Sequence, residues 1–179
     1  MNLGYLHDSA RLAADFVNTK GWHSGSESLA GVEDVQAFLA GRAPALTVKK
    51  ADVARLHALR DRLRAVFTAG SEGEARRHIS ALLTEFPSYP RLDPEAEGGV
   101  VFAPAGSDAV AWIGANAAIG LAHFVAEHGA GRLGICAASD CDDAFVDESK
   151  NGTKQCCSAK CTRLENVRAF RARQRRAKN

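Results

Sequence analysis

Over roughly the first 130 residues, apolar positions recur at helical spacing almost throughout. Leu12 to Val17 is a short apolar stretch ending at Asn18-Thr19, which predicts a helix that stops before Gly21. Val32, Val35, Phe38 and Leu39 share one face of a second short helix, and Gly41 and Pro44 open the loop after it. A long third helix is predicted from an N-cap at Thr47 to about Ala69, closed by Gly70. Its residues Leu56, Leu59, Leu63, Val66 and Phe67 form one apolar stripe at helical period. Ser71-Glu72-Gly73-Glu74 has the spacing of a capping box and leads into Ile79, Leu82, Leu83 and Phe86, before Pro87 and Pro90 stop that helix.

The segment from Arg91 to Ala105 breaks the helical run, and Gly98-Gly99 followed by Val100-Val101-Phe102 predicts a β-hairpin. Ser107 is the expected cap of a helix from about Asp108 to His128, with Gly129 at its end. That helix is apolar nearly all round, which predicts the buried centre of a bundle. Gly129-Ala130-Gly131 is the natural boundary between a helical domain over 1–130 and a second unit over 131–179. No apolar run approaches the roughly 20 residues that cross a bilayer. The N-terminal Met1-Asn2-Leu3-Gly4-Tyr5-Leu6-His7-Asp8 lacks the basic start and apolar stretch of a signal peptide. The expectation is a cytoplasmic protein without a membrane partner.

Cysteine placement changes the picture at the C-terminal end. All five cysteines lie between 136 and 161, paired in short loops, and in a reducing compartment such pairs point to metal rather than disulfides. Zinc takes thiolates tetrahedrally, and Cys136-x4-Cys141 with Cys157-x3-Cys161 would deliver two ligands each. A site closed by four cysteines is structural, and its binding energy replaces the core that so small a module lacks. Between the pairs, Ala144 to Asp147 reads as a strand, Asn151-Gly152 as a tight turn, and Thr153 to Cys156 as a returning strand. Alternation along that strand lets only one of the adjacent Cys156 and Cys157 face the metal. Cys157 is the preferred ligand, with Cys156 packing as a small apolar residue. The whole is mainly α with a small β-hairpin: a helical N-terminal domain followed by a treble-clef-like zinc finger.

Charge is just as uneven. From Cys161 onward, Arg163, Arg168, Arg171, Arg173, Arg175, Arg176 and Lys178 stand against Glu165 alone, a net +6 in a chain whose total is +2. The remainder is therefore mildly acidic, the asymmetry expected of a protein that meets a polyanion. On a helix, Leu164, Val167 and Phe170, with Arg171 and Gln174 beyond, would pack on the body and leave Arg168, Arg173, Arg175 and Arg176 free for phosphates. Duplex DNA is the favoured partner; RNA and a protein-contacting or merely solvated tail are the alternatives. Backbone contacts of this kind carry no sequence information, so no target site follows.

These residues resemble a known arrangement. Cys136-x4-Cys141, Phe145-Val146-Asp147, Ser149-Lys150-Asn151-Gly152, Cys157-Ser158, Cys161 and Val167-Arg168-Ala169-Phe170-Arg171-Ala172-Arg173 resemble the CGNR zinc finger. Leu12-Ala13-Ala14-Asp15-Phe16-Val17-Asn18-Thr19, and Leu56 to Phe67 with Leu59-Arg60-Asp61, resemble the ABATE domain that precedes it. The resemblance implies a bacterial, stress-linked transcription regulator. The chain departs from the family where the family takes its name: Thr162-Arg163-Leu164 follows Cys161 in place of Gly-Asn-Arg, and Cys156 replaces an aromatic residue. Arg163 stands one position before the expected arginine, about 100° away around a helix.

A small-molecule effector would suit such a regulator, and Asp15, Asn18, Trp22 and Arg60, with Arg11, are the candidate pocket residues. A homodimer would suit a palindromic site. His7, His23, His57, His78, His123 and His128 are scattered; only His123 and His128 are near one another, five apart and poorly aligned on a helix. They read as surface or packed histidines. No Gly-x-Ser-x-Gly elbow, Gly-rich phosphate loop or His-Glu-x-x-His occurs, so an enzyme is not expected.

Overall fold

The computed structural model describes residues 4–92 and 100–176, with side chains over 6–92 and 100–174. The helices are α1 (Gly4–Val17), α2 (Val32–Leu39), α3 (Lys50–Phe67), α4 (Glu72–Glu85), α5 (Ala109–His128) and α6 (Ala159–Arg176). Strands β1 (Ser88–Leu92) and β2 (Val100–Pro104) form one antiparallel pair, and β3 (Leu133–Ile135) and β4 (Ala144–Val146) another.

Helix α5 is the axis of the bundle. Val110, Ile113, Leu121, Phe124 and Val125 are buried on it, against α1, α3 and α4. In length and composition α5 could cross a membrane, contrary to the first reading of the sequence, but most of that apolar surface is buried within the protein. An apolar helix wrapped by amphipathic ones needs no lipid. Leu56, Leu59 and Leu63 of α3 are essentially inaccessible, and each such burial contributes about 1.5–3 kcal/mol.

Helices α1 and α5 touch backbone to side chain at Gly120. A Cβ there would lie 2.5 Å from Ala10 N and 2.6 Å from Ser9 Cβ, so only glycine allows this crossing. The contact fixes the register of the two helices and brings His7, early in α1, beside His123 and His128 at the end of α5.

Two helix starts differ from expectation. Lys49, not Thr47, caps α3: the Lys49 amide donates to the buried Asp52 carboxylate at 2.8 Å, closing the first turn two residues later. Asp108, not Ser107, caps α5 by accepting from Ala111 N–H at 2.7 Å. Arg55 explains both choices, because its guanidinium donates to Asp52 and to Asp108 at 3.0 Å each. At α4, Ser71 accepts from Glu74 N–H at 3.2 Å, while the Glu74 carboxylate reaches past it to Gly70 N–H at 2.9 Å. Strand β1 pairs with β2 from Ser88↔Pro104 to Leu92↔Val100. The turn assigned to Gly98-Gly99 lies outside the described residues.

The C-terminal hairpin is built differently from the sequence reading. Strand β4 pairs with β3, on the near side of the first cysteine pair, in the register Leu133↔Val146 and Ile135↔Ala144. Residues 153–156 form no strand. Buried Asp147 accounts for this, because its two carboxylate oxygens accept from Ser149 N–H and Lys154 N–H at 2.9 Å, and so pull the chain into a loop around itself. Gly152 takes φ +62° in that loop, a left-handed conformation that glycine adopts freely. Leu133, Ala144 and Val146 join the same hydrophobic core as the helices.

Candidate metal centre and nucleic-acid interface

The loop between β3 and β4 carries Cys136 and Cys141, the turn into α6 carries Cys157, and the first turn of α6 carries Cys161. Their Sγ atoms all lie within 4.8 Å of one another. Cys157 Sγ is 3.7 Å from both Cys141 Sγ and Cys161 Sγ, far beyond a disulfide bond. Four thiolates at about 2.3 Å from one zinc ion would be about 3.8 Å apart, which the observed separations match. Cys157 N–H donates to Cys136 Sγ at 3.3 Å, a contact that favours a thiolate. Cys156 is buried beside the cluster but outside it.

Burial pushes the Cys141 thiol up to about 12 and raises Cys157 as well. Burial acts on Cys136 too, but amides of Cys157 and Ala138 outweigh it and hold that thiol below its ordinary value. Thiols ligate only when ionised, so a divalent ion held here would supply the charge that lets four sulfurs ionise together, releasing protons as it binds. The donor set and spacing fit structural zinc with no position left for a substrate.

Helix α6 leaves this cluster carrying the basic residues. Arg163, Arg171 and Arg173 are exposed on it. Arg168 is not free for phosphate. It donates to Asp140 and Ser139 in the cysteine loop and to Glu165 at 2.7 Å, and Glu165 in turn accepts from Ser139 N–H at 3.1 Å. Arg168 therefore braces α6 against the metal-binding loop. Leu164, Val167 and Phe170, expected to pack on the body, are 47%, 42% and 54% exposed. The core is already closed by α5 and the β3–β4 hairpin, so α6 extends beyond it. The side chains of Arg175 and Arg176, and Lys178 altogether, lie outside the described residues.

The sequence-derived pocket comes apart in the structure. Asp15, Asn18 and Arg11 do line a common groove of about 360 Å³, shared with Phe145, Lys154 and Ser158 of the finger. Trp22 and Arg60 are elsewhere. Arg60 is 2% exposed and binds Glu27 bidentately, at 2.7 and 2.5 Å, with Thr19 Oγ1 at 3.0 Å. Trp22 donates to Val17 O at 3.0 Å and lies between Lys20 and Arg64. Three residues that periodicity could not expose dock the finger on the bundle: Asn18 binds Ala144, Arg11 binds Glu148 at 2.6 Å, and Arg64 donates to Asp142 O.

The profile of the ABATE family, described as "Putative stress-induced transcription regulator", matches residues 10–128, and that of the CGNR zinc finger matches residues 132–174. The chain belongs to the ABATE family. A comparison with curated proteins finds no match. The two ABATE and CGNR segments meet at the turn that follows α5, and all four converging cysteines fall inside the CGNR segment. Where CGNR fingers carry their Gly-Asn-Arg, this chain has Thr162, whose hydroxyl donates to Ser158 O at 3.1 Å, and the exposed Arg163.

Proposed function

We propose that this protein is a DNA-binding transcription regulator in which zinc holds α6 as the nucleic-acid-contacting helix. The observation that carries the reading is the exposure of α6: Arg163, Arg171 and Arg173 stand in solvent around Val167 and Phe170, on a helix whose first turn holds Cys161 and whose start is preceded by Cys157. A helix of this kind fits a major groove, where arginine forks meet phosphate or guanine and apolar side chains meet the thymine methyl. Positioning comes from the metal and from Arg168, so the helix presents its charges without having to order itself on binding.

The helical domain is the proposed sensor. A cleft of about 770 Å³ opens beside α1 and α5, lined by Arg11, Asp15, Arg42, Trp112 and Asn116 among others. Its mixed charge and indole suit a small polar effector, and Trp112 fluorescence would report binding. No catalytic role is assigned to this cleft.

A second reading draws on the same helix. Exposed Leu164, Val167 and Phe170 are also what a protein partner or a second copy would cover. One comparison separates the two. Anisotropy of a labelled duplex is followed with the full zinc-loaded chain, an Arg163→Ala/Arg171→Ala/Arg173→Ala variant, and a Val167→Ser/Phe170→Ser variant. The regulator reading expects binding by the parent and its loss in the arginine variant. No binding by the parent at low salt, with a change of oligomeric state in the serine variant, favours the protein interface.

A further inference from the structure

Three histidines that the sequence leaves scattered converge on one carboxylate. Glu127 Oε2 lies 3.5 Å from His7 Nε2, 3.5 Å from His123 Nδ1 and 3.7 Å from His128 Nε2. These separations exceed good hydrogen bonds, and no hydrogen-bond partner of the three rings is found among the described residues. Those of His7 and His128 are close to what a shared cation would impose. Donors at about 2.0–2.1 Å from one tetrahedral ion stand about 3.3–3.4 Å apart.

We propose that His7, Glu127 and His128, with His123 beside Glu127 but outside the donor set, form a second metal site for a divalent cation of the zinc class. The His7, Glu127 and His128 donor atoms all lie within 4.8 Å of one another. Imidazole with carboxylate suits Zn²⁺, Co²⁺ or Ni²⁺, whereas Ca²⁺ and Mg²⁺ require oxygen shells and soft ions prefer sulfur. This chemistry is distinct from the all-thiolate centre of the finger.

The scaffold supports the site from three directions. Gly120 sets the α1–α5 crossing that brings His7 over the end of α5. Phe124 packs edge-on to His7 at 6.5 Å and to His128 at 4.8 Å, so two donor rings are oriented by one buried side chain. His128 is the last residue of α5, where the helix dipole favours positive charge. An ion here would clamp the start of α1 to the end of α5, next to the turn that leads into β3.

The test titrates Co²⁺ into the full chain already holding one zinc at its cysteines, with absorption recorded and zinc content measured. One further equivalent is expected to bind at micromolar concentration, giving ligand-field bands without a thiolate charge-transfer band. His7→Ala, His128→Ala and Glu127→Gln should each weaken it at least about tenfold while leaving zinc content and circular dichroism unchanged. His78→Ala should leave it intact, because His78 lies on α4 beside Glu74, at 3.8 Å, away from the three donors. Failure of the parent to bind a second equivalent, or binding that survives His7→Ala and His128→Ala together, would overturn the proposal.

Discussion

Asn18 and Ala144 exchange two hydrogen bonds: Asn18 Nδ2 donates to Ala144 O at 2.9 Å, and Ala144 N–H donates to Asn18 Oδ1 at 2.7 Å. The side-chain amide thus takes the place of a neighbouring strand on the outer edge of β4, at the point where α1 ends. It joins the helical domain to the finger through two satisfied backbone groups. Asn18→Ala leaves both without partners and should cost about 2–3 kcal/mol. Urea unfolding measures that loss, and hydrogen exchange at the Ala144 amide should accelerate; an unchanged midpoint would contradict the role.

Cysteine identity is tested separately. Cys157→Ser should reduce bound zinc to well below one equivalent and unfold the region around α6, because Cys157 sits 3.7 Å from two other thiols. Cys156→Ser should retain a full equivalent, with at most a small loss of packing. Metal analysis of the two purified variants decides between the adjacent residues.

Arg168 and Arg171 should behave differently although both are exposed arginines of α6. Arg171→Ala should weaken duplex binding uniformly across sequences and reduce the salt slope by about one phosphate. Arg168→Ala should instead speed release of zinc to a chelator, since its partners Ser139 and Asp140 lie in the metal-binding loop. Chelator-competition rates beside salt slopes separate the bracing residue from the contacting one.

The pH dependence of stability should carry the mark of Glu27. Its hydrogen bonds from Arg60 chiefly, against the opposing effect of burial and with help from Leu29 N–H, bring its carboxyl down to about 2. A depressed acid stabilises the fold above its unfolded value near 4.5 and loses that contribution as pH falls towards 2. Some solvent reaches the pair, so the loss should be about 2–3 kcal/mol across that interval. Glu27→Gln should be less stable at neutral pH and show a flatter acid limb in chemical denaturation.

Much of this was legible in the sequence. The helical stripe of Leu56, Leu59 and Leu63 and the spacing of the four cysteines are local patterns, and local patterns survive without coordinates. Cap identities were missed at Thr47 and Ser107 because Arg55, a residue of neither cap, selects Asp52 and Asp108. The returning strand predicted over Thr153 to Cys156 does not form, because the Asp147 carboxylate takes up the Ser149 and Lys154 amides and draws the chain into a loop. Arg60 read as a pocket residue because its partner Glu27 is 33 positions away. The His7–His128 convergence depends on a crossing at Gly120 that periodicity along one helix cannot reveal.

The measurement that tests the central claim most directly is the affinity of the zinc-loaded full chain for a duplex across a salt series. Three to five phosphate contacts from α6 and its tail give a log–log slope of roughly −3 to −5. The account predicts a slope in that range, falling by about three in the Arg163→Ala/Arg171→Ala/Arg173→Ala variant. Binding that is absent at low salt, or a slope untouched by removing those arginines, would contradict it.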